Sequence, residues 1–145
     1  MRMSTKAQYA VRALVSLNLT SNGQPVSIKD IAEREKISLN YLEQLFVKLR
    51  RGGIVNSVRG PGGGYVLARP AADIHIDQII DTVEEALMPL SCMSADGSCN
   101  CEHECTTQSV WQGLGNQIRN FLASMTLEDL TNDGRRQLAC RAANN

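Results

Sequence analysis

The sequence predicts a mainly α-helical fold with one small β-hairpin, and three observations predict it. Apolar residues recur at helical spacing through most of the chain, two short β-prone runs flank a Gly-rich turn, and four of the five cysteines crowd one polar stretch, Ser91–Gln108. At 145 residues the chain is expected to hold one to two small domains. No apolar run nears the ~20 residues of a membrane span. The opening MRMSTKAQYA has no apolar signal core or cleavage site, so a cytoplasmic protein without a membrane partner is expected.

Each element has local signals. The first helix, Ser4 to Thr20, carries Ala10, Leu14 and Leu17 on one face and ends at Asn22-Gly23 and Pro25. Ser27 caps a short second helix, with Asp30 completing a capping-box pattern, and the helix stops near Lys36. After a tight turn at Ile37, Ser38 caps a third helix, Leu39–Arg51, which buries Leu42, Leu45, Phe46 and Leu49 and halts at Gly52-Gly53. The β-prone runs Ile54–Val58 and Tyr65–Ala68 then enclose RGPGGG.

A short helix, a tight turn and a polar-faced helix form a helix-turn-helix, and a basic hairpin behind it is a wing. Residues 1–70 carry eleven Lys/Arg against four Asp/Glu, a net +7, whereas residues 71–145 carry four against eleven, a net −7. That division points to a polyanion for the first half alone, and the expected partner is double-stranded DNA. On the reading helix Ser38, Asn40, Tyr41, Glu43, Gln44, Lys48 and Arg51 are the candidate contacts. Glu43 suits a cytosine amine, and Asn40 or Gln44 suits adenine. In the wing, Ser57, Arg59, Gly60 and Tyr65 are candidates, with Arg59 at the tip suited to a narrow minor groove. Arg2 and Lys6 add charge at the N-terminus. A phosphate-cradling nucleotide loop is the rival reading of the glycines, but that loop needs Gly-Lys-Ser/Thr leading into a helix, and here a strand follows.

In the acidic half, Asp77 is expected to cap a helix burying Ile79, Ile80, Val83 and Leu87 and ending before Pro89. A longer helix, about Thr106 to Met125, carries the stripe Val110, Leu114, Ile118, Phe121 and Met125, which is read as a dimer seam. Thr126 with Asp129 caps a last short helix, and from Asp133 the tail reads as disordered, with Cys140 a passive thiol. The expected organisation is a winged helix-turn-helix DNA-binding domain at 1–72, a cysteine loop with dimerisation helices at 73–132, and a free tail at 133–145.

Cys92, Cys99, Cys101 and Cys105, with His103 among them, form a soft donor set that suits zinc or an iron–sulfur cluster. Reducing surroundings disfavour a disulfide-stapled loop.

The stretches SLNYLEQLF (Ser38–Phe46) and SVRGPGGGYVL (Ser57–Leu67), followed by the cysteine loop, closely resemble the IscR/NsrR/RirA group of Rrf-type bacterial regulators, over Met1 to about Asp133. The resemblance implies a homodimeric winged-helix transcription regulator. It would sense iron–sulfur status, iron, nitric oxide or redox stress through a bound 2Fe–2S or 4Fe–4S cluster, and read a near-palindromic operator. The family's three cysteines are separated by five residues each, and Cys92, Cys99 and Cys105 match with one extra residue in the first gap. In IscR-like members a histidine follows three residues after the third cysteine, where this chain has Gln108. In NsrR-like members an aspartate from the partner's first helix completes the site, where this chain has Gln8. The fourth ligand is therefore open among Cys101, His103, Gln108, Gln8, an acidic neighbour (Glu102 or Glu104) and an exogenous thiol or water, with Cys101 first on softness. A cluster held this way is labile, and lability is itself a sensing principle. The alternatives are a regulator that senses thiol oxidation or zinc without iron, and, more remotely, an electron-transfer protein. The chain has no catalytic acid–base or nucleotide motif, so no enzyme is expected.

Overall fold

Ser4 starts the first helix by accepting the Ala7 N–H on its Oγ (3.3 Å), and α1 runs Thr5–Thr20. The computed structural model describes residues 3–83, 92–93 and 105–145. Three alanines on α1, Ala7, Ala10 and Ala13, are fully buried beside Leu14 and Leu17. Small side chains let neighbouring helices close in, and α1 packs against four of them: α2 (Ile28–Glu35), α3 (Leu39–Arg51), α4 (Ile76–Val83) and α6 (Leu127–Ala143). Asn22 and Gly23, both at positive φ, turn the chain out of α1 as their types favour.

Ser27 caps α2 by accepting from Lys29 N–H, though Asp30 does not form the reciprocal bond that a capping box requires. α2 ends on Lys36 in the left-handed conformation (φ +55°), and Ile37, buried, donates its N–H to Ala32 O (3.0 Å). That anchored residue sets the angle between the two helices. Ser38 occupies the N-cap of α3, but its side chain caps nothing and stays exposed. Gly53, at φ +74°, ends α3 in a conformation costly for any side chain.

β1 (Val55–Val58) pairs antiparallel with β2 (Gly64–Leu67), Val55 opposite Leu67 and Val58 opposite Gly64. The hairpin is tied down from outside. Val26, in the α1–α2 connection, exchanges both backbone hydrogen bonds with Tyr65 (3.0 and 2.8 Å). A Cβ on Gly64 would collide with the Val26 backbone, so only glycine fits there.

α4 begins one residue before Asp77, which sits inside its first turn rather than capping it. The reason is a backbone bridge just upstream, where His75 pairs with Thr126 and fixes where the helix starts. Ile76, Ile79, Ile80 and Val83 of α4, Ile74 before it and Leu127 of α6 join one buried cluster with α1, α2 and α3. The expected boundary at 72 therefore does not separate two cores. Leu87 and Pro89 lie outside the described residues.

α5 spans Gln108–Ser124, within the expected range. Thr126 and Asp129 form the expected capping box at α6, Thr126 N donating to Asp129 Oδ2 (3.0 Å) and Asp129 N to Thr126 Oγ1 (3.2 Å). The tail is a correction: α6 continues through Asp133-Gly134 to Ala143 instead of ending in disorder. Asp-Gly reads as a turn, but α6 is seated on α1 there. A Cβ on Gly134 would stand 3.5 Å from Leu19, and Asn18 Nδ2 donates to Thr131 Oγ1 (2.9 Å). The residues beyond, Arg-Arg-Gln-Leu-Ala, are strong helix formers.

Candidate nucleic-acid interface and cysteine segment

The 3.6-residue period of α3 buries Leu42, Leu45, Phe46 and Leu49 and leaves Asn40, Glu43, Gln44, Lys48 and Arg51 exposed on the opposite side. Lys48, Arg50 and Arg51 gather in the last turn, where positive charge also complements the helix dipole. Among the described residues none of the α3 polar side chains is spent on an ion pair, so each is available to a ligand. Leu39 and Val47 are also exposed on α3 (38% and 37%), and Val58 on the wing (41%). Sequence reasoning assigned them no role. Exposed apolar groups beside Gln44 and Lys48 can meet a thymine methyl.

Tyr41 is half-buried and stands edge-on against Tyr9 of α1, ring centroids 5.8 Å apart at 88°. Arg12 lies over the Tyr9 ring, 5.5 Å from its centroid, and donates to the Glu35 carbonyl (2.8 Å) and to Glu35 Oε2 (3.2 Å). This chain of contacts fixes the start of the reading helix to α1 and to the end of α2. No motif announced it, because the four residues are scattered through the sequence.

The wing tip is exposed from Asn56 to Gly62 and carries Ser57, Arg59 and Gly60. Gly60 and Gly62 take positive φ (+97° and +74°), and Gly63 N–H closes the turn on Gly60 O (2.9 Å). Tyr65 is drawn inward instead, its ring 4.8 Å from that of Phe46. Lys6 is exposed in the first turn of α1, while Arg2 lies outside the described residues.

Of the cysteine segment, Cys92, Met93 and Cys105 are described, and both thiols are half-buried. Cys99, Cys101 and His103 lie outside the described residues, as do Glu102 and Glu104. Cys105 Sγ sits 3.4 Å from Thr107 Oγ1, which also accepts the Trp111 indole N–H (3.1 Å), so the thiol lies at the entrance of α5 beside a small polar network. Gln108 is the first residue of α5, whereas Gln8, on α1, donates to Met3 O (3.2 Å) and lines an apolar groove with Leu122. Leu122 is fourteen residues along α5 from Gln108, roughly 21 Å of helix at ~1.5 Å per residue. Two of the candidate fourth ligands, Gln8 and Gln108 of one chain, are therefore not brought together. Among the described residues no three His, Cys, Asp or Glu side chains gather as a metal site.

Part of the α5 stripe is left open among the described residues. Val110 and Phe121 are 60% and 63% exposed and Leu114 41%, while Ile118 and Met125 are half-buried.

Comparison with known proteins decides the family. Residues 3–133 match Rrf2, described as an iron-dependent transcriptional regulator. This chain is a member of the Rrf2 family. The HTH-type transcriptional regulator IscR of Photorhabdus laumondii is 44% identical over 133 residues, covering 92% of this chain and 80% of that protein. Among solved structures, IscR of T. potens superposes with a TM-score of 0.76 at 38% identity, over 92% of this chain and 88% of that one. CymR, the global cysteine regulator of B. subtilis, does so at 0.77 and 32%, over 91% and 97%. These relatives are transcription regulators, and so is this Rrf2 protein: a DNA-binding regulator with a winged helix-turn-helix. No helix among the described residues is long and apolar enough to cross a membrane.

Proposed function

We propose that this Rrf2 regulator acts as a homodimer, with α3 and the wing of each chain reading one half-site of a near-palindromic duplex. We further propose that it responds to iron–sulfur status, iron, nitric oxide or redox stress through a labile iron–sulfur cluster on the Cys92–Cys105 segment. The observation that carries this reading is where the two described thiols lie. Cys92 follows α4, which packs on α1 and α3, and Cys105 precedes α5, whose apolar stripe is open. A ligand-holding segment between the reading body and a helix seeking a partner is placed to alter the spacing of two readers.

The donor set fits such a cluster: thiolates are the usual ligands of iron–sulfur centres, and Cys105 is set against Thr107 at the head of α5. Cys92, Cys99 and Cys105 would hold the cluster, with the fourth ligand from Cys101, His103, Gln108 or Gln8. Gln8 of the same chain, on α1, lies beside Leu122 near the far end of α5 from Cys105, so a Gln8 contribution would come from the second chain. When bound, the cluster supplies a group whose ligation and charge respond to oxidant, nitric oxide or iron supply. The chain's own residues do the reading: Asn40, Glu43 and Gln44 address base edges, Lys48, Arg51 and Lys6 neutralise phosphates, and Arg59 enters the minor groove.

The likeness to a cysteine regulator favours a second reading, a winged-helix protein that senses thiol oxidation or zinc without iron. Anaerobic purification followed by visible absorption and iron, sulfide and zinc analysis separates the two, with Cys105→Ala alongside. The cluster reading expects a coloured protein with matched iron and sulfide, lost in Cys105→Ala. Colourless protein with stoichiometric zinc, or with no metal, would overturn it.

A further inference from the structure

The last twelve residues carry Arg135, Arg136 and Arg141 and no Asp or Glu. In sequence they belong to the acidic half, but α6 returns them to the basic half in space, against α1. Where α1, α2 and the second half of α6 meet, a groove of about 830 Å³ is lined by four guanidinium groups, Arg12, Arg34, Arg135 and Arg141, against the single carboxylate of Glu35.

That carboxylate is already engaged by Arg12. Arg34 is held differently. Its Nη1 donates to Ser16 Oγ and to Thr20 Oγ1, both at 3.0 Å, and Thr20 donates in turn to Ser16 O (2.8 Å). Ser16 is only 2% exposed, an unusual burial for a serine, and its hydroxyl serves this arginine. Neutral hydroxyls orient the guanidinium, which has no carboxylate partner among the described residues. Arg135 donates to Asn132 Oδ1 (3.1 Å), and among the described residues neither it nor Arg141 has a carboxylate partner. A concave site with surplus positive charge and low-dielectric walls concentrates anions, and guanidinium forks match phosphate oxygens. Leu19 and Leu138 add an apolar wall to the same groove.

We propose that this groove is a binding site for a small polyphosphate anion, held by Arg34, Arg135 and Arg141. The phosphates sit between three helices, in a cleft that suits a compact free anion better than a stiff duplex. An attached nucleoside base would rest on Leu19 and Leu138.

The test is calorimetric titration of the full chain with inorganic pyrophosphate and, separately, with ATP. A saturable site for either supports the proposal, and tighter ATP binding identifies the nucleoside form. The double variant Arg34→Gln with Arg141→Gln should weaken binding about ten-fold or more, as expected for losing charge-assisted bonds. Should Arg34→Gln fail to fold, Arg141→Gln alone, on an exposed position, should still weaken it several-fold. Absence of saturable heat with both anions overturns the site, as does unchanged affinity in the double variant. Equal loss in the wing variant Arg59→Ala would assign the anion to the DNA interface, and a double variant that loses duplex DNA as severely as Arg59→Ala would make the groove a DNA-backbone contact. Either result overturns the proposal.

Discussion

The ring of Tyr65, in the wing, stands 4.8 Å from that of Phe46, in the reading helix, at 66°. Phe46 is fully buried and Tyr65 half-buried, so the pair makes α3 and the hairpin one rigid unit. Aromatic pairs of this geometry contribute about 0.5–1.5 kcal/mol beyond the area they bury. Phe46→Ala should therefore destabilise the fold by roughly 3–5 kcal/mol. Tyr65→Leu should cost much less stability yet still weaken DNA binding, because the wing loses its fixed angle. Urea unfolding beside duplex-DNA titration separates the effects. Wild-type DNA affinity in a folded Tyr65→Leu would show that the wing needs no such bracing.

Arg59 has no structural employment: it is exposed at the wing tip and makes no ion pair among the described residues. Arg59→Ala should leave unfolding unchanged and weaken DNA binding. If the guanidinium neutralises one phosphate, the slope of log affinity against log salt should flatten by about 0.9. An unchanged slope with weaker binding would instead assign Arg59 to base or groove-shape readout.

Gly64 carries φ +154° and lies against the Val26 backbone, so Gly64→Ala meets both a rare conformation and a collision. The hairpin should lose its bridge to Val26, at a cost of at least about 1–3 kcal/mol. Gly62, at φ +74° with open space around it, should cost less when replaced by alanine. Equal losses at both positions would mean that torsion alone, without the Val26 contact, sets the penalty.

Much of this was legible because its causes are local. Ser4, Thr126 with Asp129, and Gly53 each act within four residues, and the alternation of Leu42, Leu45, Phe46 and Leu49 with Asn40, Glu43, Gln44 and Lys48 marks both faces of α3. What escaped has distant causes. Val26 becomes a strand partner only because Tyr65 arrives beside it, and the buried Ser16 hydroxyl finds its partner in Arg34 of another helix. The tail failed for the same reason, since Asp-Gly signals a turn until Leu19 and Asn18 of α1 supply a seat for α6. At the interface, exposure matched the polar candidates of α3, whereas Tyr41 and Tyr65 turned partly inward to aromatic partners no spacing rule could name.

The α6 cap makes an acid-sensitivity prediction. Hydrogen bonds from the Thr126 backbone and side chain, with the nearby His75 as a smaller influence, hold the Asp129 carboxyl below its ordinary 3.8. A carboxyl lowered in the folded state binds protons more weakly there than in the unfolded chain. Its contribution is thus complete above the ordinary value and is lost as pH falls through the lower folded one. Asp129→Asn should lower stability near neutrality and flatten the stability–pH curve below about pH 4. Thermal unfolding across that range tests it, and an unchanged acid slope would remove the cap from the account.

The α5 stripe supplies the last prediction. Val110, Leu114 and Phe121 are exposed along one helix, and a Cβ added at Gly113 beside them would meet nothing within 4 Å among the described residues. Large apolar groups repeated along a helix in this way mark an association surface. A second copy is the proposed occupant, because a single reading helix covers few base pairs and a two-fold pair covers two half-sites. Phe121→Glu should make the protein monomeric at micromolar concentration with little change in monomer fold, since this ring is 63% exposed and contributes little to the core. DNA affinity should then fall steeply, toward that of one half-site, while Asn116→Glu, exposed on the opposite side of the same helix, should change neither. Sedimentation of both variants decides the matter: a dimeric Phe121→Glu would show that the two chains meet on another face.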